Sequence, residues 1–242
     1  IEELYERLGE KIEDVIQHIK IVLRLNMQVA LKTVIYNNLV DLLSNRIPLQ
    51  YINMLKLSEG FTVKDLTRFS ANINLDHSEL IGRGILLEFE PGNTYFEYVR
   101  NYVIEALAHG ETSIVITRKG SFLQDKLQDL KNIIFIHPSM MVLRAISISE
   151  FEMHVPLQDV VQVLESLGRI VKSSSSPVFV VFDSVTDFLT HHGFEKAYKL
   201  IRSILELNPT KVSLLVTLNI KAWGDNIKSA LEELMNMTIH AE

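Results

Sequence analysis

Hydrophobic positions along the chain follow two rhythms, and the change from one to the other falls near Gly84. Before it, Leu8, Ile12, Val15, Ile19, Val22, Asn26, Val29, Thr33, Tyr36, Val40 and Leu43 step alternately by four and three residues. That is the heptad spacing of a coiled-coil seam. Neither glycine nor proline interrupts Glu10 to Ile47, so the pattern predicts one long helix over residues 1–47. At about 1.5 Å per residue it would outrun the width of one globular domain. Asn26 in the seam is the kind of polar residue that fixes register and oligomer state. Ile16, Leu23, Leu31 and Leu39 flank the seam and leave a second arrangement open, with the helix packed on the protein's own body. The length favours self-association, as a homodimer or with another protein partner. Pro48 and Gly60 then delimit short helical pieces, and residues 48–83 read as a helical connector.

After Gly84 the pattern becomes that of an α/β domain over residues 84–242. Ile85 to Phe89, Ser113 to Thr117, Ile133 to Ile136, Val178 to Phe182 and Val212 to Thr217 are short apolar or β-branched runs, as expected for strands buried on both faces. Helical stretches separate most of them: Tyr95 to His109, Phe122 to Leu130, Leu157 to Lys172, Phe194 to Leu207 and Asp225 to Met235. Strand and helix in alternation predict a mostly parallel sheet sandwiched by helices.

Composition narrows the function classes. The 242 residues include 24 Lys plus Arg and 30 Asp plus Glu, a net charge of -6, which does not supply the basic surface that nucleic-acid binding uses. No nucleic-acid partner is expected. The absence of cysteine excludes disulfides, thiolate metal sites and cysteine nucleophiles, and suits a reducing compartment. No uninterrupted apolar run of about 18 residues occurs, so a cytoplasmic location is expected. Because the first residue is Ile, the expectation is a fragment of a longer protein. The adjacent pair His191 and His192 would face in different directions on any regular element, so no metal site is expected there, and the pair reads as a loop.

The chemistry-bearing stretch is Phe89-Glu90-Pro91-Gly92-Asn93-Thr94-Tyr95, placed directly after the first strand. Phosphate-binding loops occupy that position, where backbone NH groups and a lysine surround the phosphates. Here there is one glycine and no lysine, and Glu88 and Glu90 set negative charge beside the loop. Thr94 reads as an N-cap in preference to a metal-side hydroxyl. Val178-Phe179-Val180-Val181-Phe182-Asp183 is an apolar strand ending in an acid, which resembles the Walker B strand of RecA-like ATPases.

From about Leu80 onward the order of elements resembles the RecA/KaiC-like P-loop ATPase superfamily in degenerate form. His109-Gly110, Ile116-Thr117-Arg118, Pro156-Leu157 and Gly193-Phe194-Glu195-Lys196 resemble more closely an archaeal family of uncharacterised domains, and that resemblance implies a neighbouring helical or membrane-attached segment outside this fragment. The superfamily resemblance implies a catalytic acid after the second strand. This chain has Arg118 and Lys119 there, which cannot act as general bases at neutral pH. No catalytic residue and no cofactor are therefore expected. The degenerate nucleotide edge would gather Gly92, Asn93, Thr94, Arg118, Lys119 and Asp183. At that edge Arg118 and Lys119 either hold a small anion or pair with Glu88, Glu90 or Asp183, and the second arrangement is favoured. The resulting expectation is a catalytically inactive regulatory or scaffolding domain acting through protein contacts, with a nucleotide-binding ATPase carrying an atypical phosphate loop as the alternative.

Overall fold

A computed structural model of the chain describes residues 69–92, 94–183 and 185–241. The predicted N-terminal helix with its seam and most of the connector fall outside the described residues, as do Asn93 and Ser184. The compact unit spans Phe69–Glu242.

Two short helices, α1 (Phe69–Asn72) and α2 (His77–Leu80), lead into β1 (Gly84–Phe89). There follow α3 (Tyr95–Ala108), β2 (Thr112–Ile116), α4 (Phe122–Leu127), β3 (Ile133–Ser139), β4 (Ile146–Ser149), β5 (Glu152–Pro156), α5 (Val160–Ser173), β6 (Val178–Phe182), α6 (Val185–His192), α7 (Phe194–Glu206), β7 (Val212–Asn219), α8 (Asp225–Leu234) and β8 (Met237–His240). The eight strands form one sheet in the order β4-β5-β3-β2-β6-β7-β1-β8. Every pairing is parallel except β4 with β5. The predicted α/β class and mostly parallel sheet are therefore present.

Helices cover both faces, and the pleat divides the strands between two cores. Ile85 and Leu87 of β1 join Phe179 and Val181 of β6 beneath α3 and α4. Leu86, Val178, Val180 and Phe182 point the other way, under α5, α6 and α7. This two-sided burial is why the central strands are apolar runs with no alternating polar face. Two helix starts carry side-chain caps: Ser121 accepts from the Gln124 NH at α4, and Asp159 accepts from the Val161 and Gln162 NH groups at α5.

Some expectations require correction. His191 and His192 do not form a loop; they end helix α6. Pro156-Leu157 does not start a helix, because Pro156 closes β5 and α5 begins at Val160. The polar strands β4 and β5 were not predicted. Among the described residues, no helix is long and apolar enough to cross a membrane.

Candidate functional site

The register of three central strands builds the site. Ile116, Phe182 and Val216 are successive partners across β2, β6 and β7. Each strand is followed or continued by a polar residue, so Thr117, Asp183 and Thr217 stand in a row at the carboxyl end of the sheet. Ligands of open α/β sheets bind at that edge. The Thr117 hydroxyl donates to Asp183 Oδ2 at 2.9 Å, and the Thr217 hydroxyl donates to Oδ1 at 3.0 Å. Tyr95, the first residue of α3, directs its hydroxyl at the same carboxylate. Burial pushes the Asp183 carboxyl above its ordinary range, and the hydroxyls of Thr117, Thr217 and Tyr95 oppose that rise. Burial, then the charge of Asp183, pushes the Tyr95 phenol up as well.

Tyr95 is held in place by its neighbour. Its ring stacks on Phe89 with centroids 4.0 Å apart and planes at 15°. The pair closes the base of the β1–α3 connection, whose Pro91, Gly92 and Thr94 are exposed. Gly92 has φ +100°, a conformation that L side chains avoid. Thr94 occupies the N-cap position, yet its side chain makes no capping bond; its carbonyl accepts from the Glu97 NH at 2.8 Å.

The cations expected to neutralise the edge acids go elsewhere. Lys119 pairs with Glu152 of β5, and that bond holds the Glu152 carboxyl below the usual range. His154 Nε2 lies 3.3 Å from the same oxygen, and His137 Nε2 lies 3.9 Å from it. His137 is fully buried and its Nδ1 is 2.8 Å from the Thr117 carbonyl oxygen. Burial lowers its proton affinity. Glu88 pairs at 2.9 Å with both Lys228 and His240, and Glu90 pairs with Lys221 at 3.0 Å. The expectation that Arg118 and Lys119 pair with Glu88, Glu90 or Asp183 is thus corrected in its partners: Lys228 of α8 and His240 of β8 take Glu88, Lys221 after β7 takes Glu90, and Glu152 of β5 takes Lys119. Arg118 is exposed and forms no ion pair among the described residues.

Of the six residues expected at this edge, Thr94, Arg118, Lys119 and Asp183 lie in the loops and strand ends there, with Gly92 at the tip of the first loop; Asn93 lies outside the described residues. Sequence reasoning missed Tyr95, Glu152, His137 and His154. An aromatic residue with a polar tip at the start of α3 was a readable signal for Tyr95. The other three required the β3–β5 register, in which His137 pairs with His154.

No family model matches the chain, and no curated protein matches it. Solved structures do. The protein of project PH0250 from Pyrococcus horikoshii OT3 aligns with a TM-score of 0.51 and 11% identity, covering 72% of this chain and 88% of its own. The likeness is one of fold. The KaiC-like protein PH0186 from the same archaeon aligns at a TM-score of 0.47 and 15% identity over 66% of this chain and 72% of its own. PCH-2 of C. elegans aligns at 0.38 and 14%, over 74% and 41%.

Proposed function

We propose that the described unit is a RecA-like domain that no longer hydrolyses nucleotide and serves as a regulatory or scaffolding module through protein contacts. One observation carries the reading: the Asp183 carboxylate is occupied by three hydroxyls of its own domain. An acid that holds magnesium must keep an oxygen turned toward the metal and its water. Here Tyr95 stands against that carboxylate, and the connection from Glu90 to Thr94 contains no lysine to meet a phosphate. Calorimetric titration with ATP and magnesium tests this. The expected outcome is no heat and no rise in melting temperature at millimolar nucleotide. Stabilisation near the roughly 2.7 kcal/mol that accompanies a hundredfold excess over the dissociation constant would instead support the nucleotide-binding alternative.

The edge strand β4 supports the protein-contact part. Ile146 and Ile148 are exposed on it, and Met141 and Leu143 beside it are 91% and 90% exposed. Apolar surface along an unpaired edge is a place where another strand adds. The favoured occupant is a second copy of this chain. Arg144 and Glu150 flank the strand symmetrically about Ser147. Antiparallel pairing centred on Ser147 would bring each arginine to the opposing glutamate. The register shift between Ser147 and Ser149 shortens the regular edge, so this association is weak and concentration-dependent. Sedimentation of Arg144→Glu should show less self-association, and adding Glu150→Arg should restore it; unchanged mass in both would remove this surface from the proposal.

A further inference from the structure

At the amino ends of the strands, away from the Asp183 row, lies a second cluster of polar groups. His77 of α2 places Nδ1 2.9 Å from Glu105 Oε1 and Nε2 3.1 Å from Glu111 Oε2. Glu105 and His109, four residues apart, share one face at the end of α3. Ligand atoms of His77, Glu105 and His109 all lie within 4.8 Å of one another.

We propose that His77, Glu105 and His109 form a binding site for a first-row divalent cation of the zinc class. Two imidazoles and a carboxylate are a donor set that zinc accepts with one position left for water. Adjacent ligands of a tetrahedral zinc stand about 3.4 Å apart for bonds of roughly 2.1 Å. The His77 to Glu105 separation is already close to that.

The surroundings are those of a supported ligand set. Glu105, only 3% exposed, accepts from the Ser70 NH at 2.9 Å and from the Ser70 hydroxyl at 2.6 Å, which fixes the carboxylate independently of His77. With Nδ1 on the cation, His77 donates its Nε2 proton to Glu111, the carboxylate–histidine arrangement that orients metal-bound imidazoles. The face of the His77 ring is held against Phe179 at a centroid distance of 5.4 Å. Charge points the same way. Neither Glu105 nor Glu111 forms an ion pair with a lysine or arginine among the described residues; both lean on His77.

His109 stacks on His77 at 3.6 Å with planes 5° apart, so the in-plane lone pairs of the two rings run parallel. Ligation requires the His109 ring to tilt out of the stack. His109 stands exposed at the C-cap of α3, outside both apolar cores.

The test is a zinc titration of the full chain in competition with a chromophoric chelator, with cobalt(II) absorption as a report of coordination. One equivalent should bind, with a dissociation constant on the order of a micromolar or lower. His109→Ala, at an exposed position, should weaken binding about 100-fold, and Glu111→Gln about 10-fold. The double variant His191→Ala and His192→Ala should bind as the parent does. No uptake at about 0.1 mM zinc, roughly a hundred times the weakest dissociation constant expected, would overturn the site and leave the cluster as a proton-bridged clamp. Uptake that His109→Ala leaves unchanged would overturn it equally.

Discussion

Lys228 of α8 places its ammonium 2.9 Å from the carboxylate of Glu88, a side chain with no exposed surface that stands next to last in the otherwise apolar β1. Leu86 and Glu88 share one face of β1, and α8 lies against that strand. The pairing raises the proton affinity of Lys228, first through its hydrogen bond to Glu88. Lys228→Met leaves the buried acid with His240 alone and should cost about 2 kcal/mol, read from urea unfolding. Lys228→Met with Glu88→Leu should recover most of the loss, because the desolvated charge goes too.

Asp183 should behave in the opposite sense. Its folded proton affinity is raised, so its favourable contribution is complete only below the ordinary carboxyl range and is lost as pH rises through the folded value. Asp183→Asn should therefore be more stable than the parent at pH 7 by about 1 kcal/mol, with the advantage shrinking toward pH 4. Paired melting curves at the two pH values give the result. A loss of stability at pH 7 would mean that the hydroxyl bonds outweigh the burial of the charge.

His137 sets a pH limit from the acid side. Burial depresses its folded proton affinity, so the unfolded chain binds the proton more readily. Stability is complete above the ordinary histidine value of about 6.5 and falls as pH drops through it. Glu152, whose carboxyl is held low by Lys119, adds a loss only below the carboxylate range, so the two windows separate. Urea midpoints measured between pH 7.5 and 5.5 should decline in the parent and flatten in His137→Gln.

Two glycines in the left-handed region differ in the room around them. A Cβ on Gly82, at φ +79°, would meet the Pro209 carbonyl oxygen at 2.3 Å, whereas one on Gly120, at φ +68°, meets nothing within 4 Å. Gly120→Ala should cost about 1 kcal/mol, the backbone term alone. Gly82→Ala adds a clash with main chain and should cost about 3 kcal/mol or more.

The strands buried on both faces were legible in the sequence because nothing polar interrupts Val178 to Phe182 or Ile85 to Leu87. The two strands at the β4 end of the sheet were not. Ile146-Ser147-Ile148-Ser149 is exposed throughout, and Glu152-Met153-His154 carries polar groups that find partners only after β3 and β5 are in register. At the carboxyl edge, the row of Thr117, Asp183 and Thr217 could be expected from strand ends alone. The destination of Lys119 could not, since Glu152 lies 33 residues away. The histidine cluster was hidden for the same reason: His77 meets Glu105 and Glu111 across separations of 28 and 34 residues.

The strand order also dictates a timetable for synthesis. β1 lies between β7 and β8, and its first residue, Gly84, donates to Asn236 across 152 positions of chain. While the ribosome is still making that intervening stretch, Ile85, Leu86 and Leu87 have no strand beside them. Long-range parallel pairing is slow, and an unpaired apolar strand is open to wrong partners during the wait. Cellular yield of this protein should therefore depend on chaperone supply and on growth temperature more than on the stability of the finished sheet.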